Sequence, residues 1–277
     1  MKSSARLWQE IEETEVGAGT LAFWWLYQAG IVLKSPAGAI VAVDPYLSES
    51  VMRSYKLPRG VPAPLDPADA DVDALLATHS HEDHLDPDSI EPFLRPAQAR
   101  FVGPPMAVDK VRAAGVDAAR ITPVGRGDEV TIADIDVRAV HARHMFGLEP
   151  TPDAVGYVLS CGGVSVYHSG DTEYDSEIIA DTRGVGTSLV CINGTTGNMN
   201  VHEAALLAWL QGARLAVPFH YGLWRDADYG EGATLDPGQF ADTYGRLNPG
   251  GRVHILQPAT RVVVGPDGLA GERADDP

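Results

Sequence analysis

The sequence predicts an α/β fold, a sandwich of two mixed β-sheets with helices on the outer faces. Short β-rich runs recur along the chain, and each is bounded by Gly, Pro, Asp or Asn, as strands usually are. The early runs follow one another closely, whereas helical patterns separate several of the later runs. Closely joined strands followed by strands that alternate with helices favour two sheets that pack face to face under a cover of helices.

The elements can be placed in chain order from these runs. Strands are expected at residues 20–27, 30–35, 39–44, 73–78, 100–103, 129–134, 135–140, 154–160, 164–169, 188–193, 215–220, 252–257 and 261–265. Helical patterns cover residues 104–115, 201–212 and 236–247. Gly212 ends the second of these helices, and Asp236, which precedes a proline, begins the third.

The chain length fits one large domain. Domains average roughly 100–200 residues, so 277 residues could form one large domain or two small ones. No long polar, Pro-rich or Ser-rich linker divides the chain. We therefore expect a single domain over residues 1–277. Residues 1–15 would form an N-terminal segment, and residues 266–277 a frayed tail.

The charge balance argues against nucleic acid and membrane partners. Lys and Arg number 21 against 38 for Asp and Glu, a formal charge of −17 that repels phosphate backbones and anionic lipid. Bound cations would reverse this potential locally, so the net charge does not decide the sign of a small-molecule substrate. No secretory segment or run of about 18 apolar residues is present, which predicts a cytoplasmic protein. Cys161 and Cys191 lie in apolar stretches and are expected to be buried thiols.

The strongest chemical signal is the run Thr-His-Ser-His-Glu-Asp-His at residues 78–84, directly after a predicted strand. His79 and His81 would share one face if the strand continued through them, and Asp83 and His84 would lie on the turn beyond. Imidazole nitrogens with carboxylate oxygens suit Zn²⁺, Mn²⁺ or Fe²⁺ better than Ca²⁺ or Mg²⁺. A solvated polar loop explains this spacing poorly, so the motif predicts a metal site.

Three further strand ends carry metal-binding side chains. His144, Asp171 and His220 each end an apolar run and begin a polar turn. A site for two ions needs more ligands than the first motif supplies, and strand ends hold ligands rigidly. Asp171 has two carboxylate oxygens and is the natural bridging ligand.

Other polar residues near these positions have less certain roles. His168 and His254 lie within predicted strands and are interpreted as structural, whereas the roles of His141 and His202 stay open. The Asn residues of the loop before helix 201–212, Asn200 among them, could cap that helix or face the substrate. The candidate substrate-binding residues are Asn193, Asn198, His202, Tyr221, Trp224 and Arg225. Of these, Arg225 could pair with a phosphate or carboxylate of the substrate.

The motifs between residues 79 and 220 together resemble the metallo-β-lactamase superfamily. Within it, the stretches 10–38, 73–86, 166–175 and 217–224 are similar to the L-ascorbate-6-phosphate lactonase family. The resemblance implies an αβ/βα four-layer sandwich, two divalent ions (Mn²⁺ or Zn²⁺), a homo-oligomer, and ring-opening hydrolysis of a sugar lactone.

The resemblance also implies a division of the ligands between the two ions. One ion would take His79, His81 and His144, the other Asp83, His84 and His220, with Asp171 between them. Asp44, at the end of an early strand, would brace the metal loop from behind.

The implied mechanism is hydrolysis by a metal-bridged hydroxide, with Asp83 and Asp171 as the catalytic carboxylates. The leading hypothesis is a hydrolase that opens a lactone of a small polar or sugar-derived metabolite. A phosphodiesterase acting on a small phosphate diester is an alternative, because the same ions suit either reaction centre. A non-catalytic, metal-containing protein that binds a metabolite is a third. An iron redox enzyme of this fold would prefer Glu at position 81.

Overall fold

The computed structural model describes residues 2–145 and 149–270, and two mixed β-sheets with helices form its architecture. This confirms the predicted fold class. The strands are β1 Leu21–Trp25, β2 Ile31–Lys34, β3 Ile40–Val43, β4 Ala74–Leu76, β5 Arg100–Gly103, β6 Ile121–Pro123, β7 Glu129–Ile132, β8 Ile135–His141, β9 Val155–Cys161, β10 Val164–His168, β11 Thr187–Cys191, β12 Leu215–Phe219, β13 Arg252–Val253, β14 Arg261–Gly265 and β15 Gly268–Leu269. The helices are α1 Ser4–Glu13, α2 Ser50–Tyr55, α3 Pro87–Phe93, α4 Pro105–Ala113, α5 Ser176–Thr182, α6 Val201–Gln211 and α7 Pro237–Leu247.

The two sheets mix antiparallel hairpins with parallel strands. The first sheet has the order β15-β14-β1-β2-β3-β4-β5-β6, and its strands from β3 to β6 run parallel. The second has the order β13-β12-β11-β10-β9-β8-β7, with β10 to β13 parallel. Parallel neighbours place their carboxyl ends at one edge of a sheet, so the loops after β3, β4, β10 and β12 can meet there.

The central strands of the first sheet are buried on both faces, as strands covered by other layers are. In β1 the side chains of Leu21, Phe23 and Trp25 join the core between the sheets. Those of Ala22 and Trp24 point the other way, into a second core under the outer helices. This alternation with period two produces the layered structure.

Every predicted strand and all three predicted helices are present, with ends shifted by a few residues. Helix α1, the short helices α2, α3 and α5, and strands β6 and β15 are additional. The tail is expected to be frayed from residue 266, but Gly268–Leu269 pairs with β14 as a hairpin strand. The remainder, residues 271–277, lies outside the described residues.

Both cysteines are free and buried, as expected. Within residues 2–145 and 149–270, none of the helices has the length and apolar character needed to cross a lipid bilayer.

Asn200 caps α6, which decides between the two roles left open for it. Its side chain accepts hydrogen bonds from the backbone N–H groups of His202 and Glu203, at 2.9 and 3.0 Å. The carboxylate of Glu203 accepts in return from the Asn200 N–H, which completes a capping box.

We expect Asn200→Ala to lower the free energy of unfolding by about 1 kcal/mol, because two N–H groups lose their acceptor. His202→Ala is a matched control: its exposed ring contacts Thr243 Oγ1 at 2.9 Å, and its loss should cost no more than about 0.5 kcal/mol. Urea unfolding of both variants measures the difference. Equal losses would contradict the capping role.

Candidate metal centre

The seven predicted ligands meet at one edge of the sandwich. The loop after β4 carries His79, His81, Asp83 and His84, and the loops after β8, β10 and β12 carry His144, Asp171 and His220. Four side chains therefore come from the first sheet and three from the second. Their donor atoms fall into three groups, in each of which all atoms lie within 4.8 Å of one another: His79, His81 and His144; His79, His84 and Asp171; and Asp83, His84 and His220.

The prediction that His79 and His81 share one face of a strand is wrong. Strand β4 ends at Leu76, so both residues lie on the loop and not on one face of a strand. The loop turns directly after them, where the N–H groups of His84 and Leu85 both donate to the carbonyl of His81. The ring centroids of His79 and His81 lie 4.5 Å apart.

In the first ligand group three imidazole nitrogens converge. His81 Nδ1 lies 2.9 Å from His79 Nε2 and 3.3 Å from His144 Nε2. His79 and His144 are buried.

Asp83, His84 and His220 form the second of the two ligand groups that share no residue. The Nε2 atoms of His84 and His220 are 3.3 Å apart, and Asp83 Oδ2 lies 3.8 Å from each of them. Asp83 is the more exposed member, with a side chain that is 18% accessible.

Asp171 lies between the two groups. Its Oδ1 is 2.9 Å from His220 Nε2 and 3.2 Å from His84 Nε2. Its Oδ2 faces the other group, 3.8 Å from His144 Nε2. One carboxylate thus reaches both halves of the cluster, which is the position expected of a bridging ligand.

Asp44 holds the cluster from behind. Its buried carboxylate accepts hydrogen bonds from the Thr78 N–H at 2.7 Å and the Thr78 hydroxyl at 2.6 Å, and faces His84 Nδ1 at 2.8 Å. Thr78 Oγ1, whose hydrogen is given to Asp44, lies 3.1 Å from His79 Nδ1 and can accept from it. Two imidazoles are therefore fixed in the tautomer that leaves Nε2 free for the centre.

The other three rings have anchors of their own. His81 donates from Nε2 to the carbonyl of Glu149 at 2.6 Å, which leaves Nδ1 facing inward. His144 Nδ1 lies 3.3 Å from the carbonyl of Gly197. His220 Nδ1 lies 3.4 Å from the side-chain amide of Gln28. All five rings thus turn one nitrogen outward to an anchor and one inward.

The electrostatics of the cluster favour a bound cation. Burial lowers the pKa of His79 well below its usual range, and it also lowers the pKa of His144. Burial opposes charge on His84 too, but the neighbouring carboxylates, Asp171 first among them, raise its pKa well above the usual range. Burial would raise the pKa of Asp171, yet His220 and His84 hold it well below its usual value. The ionised Asp171 and the carboxylates that favour positive charge on His84 make the centre complementary to a positive ion.

The donor set fits divalent transition metals. Inward imidazole nitrogens and carboxylate oxygens at mutual distances of 2.9–3.8 Å match the ligand types of Zn²⁺ and Mn²⁺. Bare nitrogens that face one another across such distances repel unless a proton or a cation lies between them. His79, His81 and His144 could hold one ion, and Asp83, His84 and His220 a second.

The candidate substrate residues divide into two sets. Asn193 and Trp224 line a cavity of about 180 Å³ that borders the metal ligands. Asn198 does not line it, although its side-chain atoms are buried without protein partners in the described part of the chain. Tyr221 packs on Trp25, with ring centroids 5.1 Å apart. His202 lies at the exposed start of α6.

The expectation that Arg225 receives an anionic substrate group is not supported by its position. Its exposed guanidinium is paired with Asp228, at 2.7 and 2.9 Å, and does not border the cavity.

The remaining histidines are accounted for away from the centre. His168 is buried and donates from Nε2 to the carbonyl of Ala29 at 2.7 Å, which supports a structural role. His141, whose role was open, lies 3.2 Å from the carboxylate of Asp175. The backbone N–H of His254 donates to the carbonyl of Ala216 at 3.0 Å.

Sequence reasoning missed two contacts of the centre. Gln28 joins His220 to Tyr229, whose hydroxyl donates to the Gln28 amide oxygen at 2.8 Å. Thr78 joins His79 to Asp44. Thr78 could have been noticed as the hydroxyl directly before the His motif, whereas nothing in the sequence around Gln28 signals its role.

Gly170 lets the loops of the two sheets approach each other. It has φ of +56°, and a Cβ atom there would lie 2.5 Å from Thr78 Oγ1. Only glycine tolerates both conditions. The contact sets Asp171, the next residue, against the loop that carries the first ligands.

Comparisons with known proteins agree with this geometry. The chain matches the family described as the β-lactamase superfamily domain over residues 40–221. It is 29% identical to the probable L-ascorbate-6-phosphate lactonase UlaG of Escherichia coli, in an alignment that covers 78% of this chain and 73% of that protein. Among solved structures, a metallo hydrolase from the archaeon Ignicoccus hospitalis aligns with a TM-score of 0.66 at 21% identity, covering 88% of this chain and 98% of the other. A metallo-β-lactamase fold protein from Bacillus subtilis aligns with a TM-score of 0.64 at 15% identity, covering 89% and 100%.

We expect Asp44→Asn to weaken metal binding by about 10–100-fold, because the tautomers of His79 and His84 lose their common anchor. Asp134→Asn is the matched control, since Asp134 also accepts from a hydroxyl and a backbone N–H, those of Ser35 and Ala37, at the other end of β8. Competition of the metal-free proteins with a chromophoric chelator for Zn²⁺ measures both affinities. An unchanged affinity in Asp44→Asn would refute the bracing role.

Gly170→Ala should also disturb the centre, because the new methyl group meets Thr78. We expect a loss of about 2–4 kcal/mol of unfolding free energy, the sum of left-handed backbone strain and overpacking. Gly184→Ala isolates the strain: it has φ of +86° but open space around it, and should cost only about 1 kcal/mol. Thermal and urea unfolding compare the two, and equal losses would show that the close approach is unimportant.

Proposed function

This chain belongs to the metallo-β-lactamase superfamily, and from that premise we propose that it is a metal-dependent hydrolase that opens a lactone, the cyclic ester of a small metabolite. The observation that carries the proposal is the position of Asp171, whose two oxygens face the two ligand groups at the edge of a cavity. A paired site of this kind suits hydrolysis. The likeness to the lactonase, at 29% identity, supports the choice of a cyclic ester.

The residues of the chain would hold two ions, Mn²⁺ or Zn²⁺, in the arrangement described above. Such ions supply a water that loses its proton near neutral pH and a positive charge opposite a developing oxyanion. The donor set of five imidazoles and two carboxylates suits both Mn²⁺ and Zn²⁺.

Asp83 is the group best placed to move protons. Its carboxylate borders the cavity and is the most accessible of the second ligand group. It can orient a water through one oxygen and return the proton to the leaving alkoxide when the ring opens. Asp171 is buried, with a pKa well below its usual range, and stays ionised. The two carboxylates would therefore have different roles.

The cavity sets the size of the substrate. At about 180 Å³ it is smaller than the 300–1,000 Å³ of typical drug-sized sites. A single lactone ring with one substituent fits such a volume. We therefore place a small molecule there.

Removal of metal should abolish turnover of small lactones, and Mn²⁺ or Zn²⁺ should restore it, as measured by proton release or ester absorbance. A cyclic phosphodiester assayed in parallel separates the two hydrolase classes. If the metal-loaded protein turned over the phosphodiester and no lactone, the proposed substrate class would be wrong.

Asp83→Asn should lower kcat by about 10²–10⁴-fold, because the proton carrier is lost. Asp136→Asn is the control: it removes a carboxylate whose partner is the Thr131 hydroxyl, on the exposed face at the start of β8. Metal content is measured alongside by elemental analysis. Full metal content together with full turnover in Asp83→Asn would rule out its assigned role.

A further inference from the structure

We infer that the substrate carries an uncharged, apolar substituent and not a phosphate group. The inference rests on the proposed function and names the substrate class of the same site. It differs from the phosphorylated lactone in the name of the Escherichia coli relative. Two properties of the cavity carry it, an apolar wall and the charges around that wall.

The apolar wall faces the metal ligands across the cavity. Val51 and Tyr55 of α2, Leu57 just after it, and Trp224 and Tyr229 from the loop after β12 form this wall. Tyr55 is 40% exposed, although its ring is large and mostly apolar. An accessible apolar surface of this kind beside a reaction centre is typical of a site for an apolar group.

The side chains of the wall are packed against buried residues behind them. Val51 packs with the buried side chains of Tyr46 and Leu223 in a small core separate from the two main ones. The Trp224 ring lies 6.4 Å from that of Tyr46 and 5.4 Å from that of Tyr229. Because these rings support each other from behind, the wall presents a fixed apolar face to a ligand.

The charges around the wall are unfavourable for a phosphate. No Lys or Arg lines the cavity in the part of the chain that the structure describes. Three carboxylates that are not metal ligands, those of Glu82, Glu149 and Asp228, lie on its lining. A phosphate held against the wall would meet negative charge without the Arg or Lys that phosphate sites use.

The cations beside the wall are Lys56, Arg59 and Arg225, and none of them is on the lining of the cavity. Lys56, between Tyr55 and Leu57, donates from Nζ to the carbonyl of Arg53. Arg225 is paired with Asp228. Arg59 lies behind the wall, where it donates to the carbonyls of Tyr46 and Val61 and stacks on the Tyr46 ring at 5.1 Å.

The cavity does offer neutral polar atoms. Trp224 Nε1 is a buried donor, and Asn193 Oδ1 a buried acceptor, and neither has a hydrogen-bond partner among the described residues. Both residues line the cavity. Uncharged polar atoms of a lactone ring can use such groups, whereas a phosphate dianion needs more than one neutral donor.

The test compares binding of two non-hydrolysable lactams to the metal-loaded protein by calorimetry. One δ-lactam carries a hexyl chain, and the other carries a phosphomethyl group at the same carbon. We expect the hexyl lactam to bind at least 10-fold more tightly. Equal binding, tighter binding of the phosphorylated lactam, or binding of neither would overturn the inference.

Variants of the wall sharpen the test. Leu57→Lys supplies the missing cation and should shift the preference at least 10-fold towards the phosphorylated lactam, whereas Leu57→Met, which conserves volume, should leave it unchanged. Trp224→Ala should weaken the hexyl lactam at least 10-fold. Trp209→Ala, on an exposed face of α6 outside the cavity, should not. Identical behaviour of Leu57→Lys and Leu57→Met would also overturn the inference.

Failure of the inference and failure of the proposed function give different results. If the hexyl lactam binds but the matching lactone is not hydrolysed, the substrate preference stands and the hydrolase proposal fails. If the phosphorylated lactone is the better substrate, the hydrolase proposal stands and the preference is wrong.

Discussion

The centre depends on one buried carboxylate that no solvent reaches. Asp44 lies at the end of β3 with φ of +50°, a backbone conformation that non-glycine residues rarely adopt. It accepts two hydrogen bonds from Thr78 and faces His84 Nδ1 at 2.8 Å. An unpaired carboxylate would be costly at this depth, so these partners have to be present. Their presence aligns the start of the ligand loop and the rings of two of its histidines.

The same arrangement explains why so much polarity can be buried at one edge of the sandwich. Four of the five rings place the outward nitrogen against an acceptor oxygen of a carboxylate, carbonyl or hydroxyl. The outward nitrogen of the fifth, His220, faces the amide nitrogen of Gln28. Among the described residues, the inward nitrogens face one another and the carboxylates of Asp83 and Asp171. Buried polar groups are stable when they are fully satisfied, and a cation completes the set on the inner side. The protein thus anchors the outer side of the rings, and a bound metal ion would complete the network on the inner side.

Sequence alone predicted the parts of this structure that repeat simple patterns. Apolar runs with turn residues at their ends gave every strand from β1 to β5 and from β7 to β14, and metal-binding residue types at strand ends gave the seven side chains that meet. Gln28 and the wall residues Val51 and Leu57 could not be found in this way, because their roles arise from contacts between segments far apart in the chain. The surroundings of Arg225 could not be found for the same reason: its partner, Asp228, is visible only once the loop is folded. The division of the seven ligands between two ions stays a prediction.

The origin of the ligands from both sheets has a mechanical consequence. The two sheets share no hydrogen-bonded strand among the described residues, and apolar packing holds them face to face. Ions bound by the loop after β4 and by the loops after β8, β10 and β12 would cross-link the two sheets. Such ions bind only when the halves are docked, so their binding free energy adds to the cohesion of the sandwich by mass action. Sliding of one sheet over the other is then resisted most strongly at the edge where the chemistry takes place.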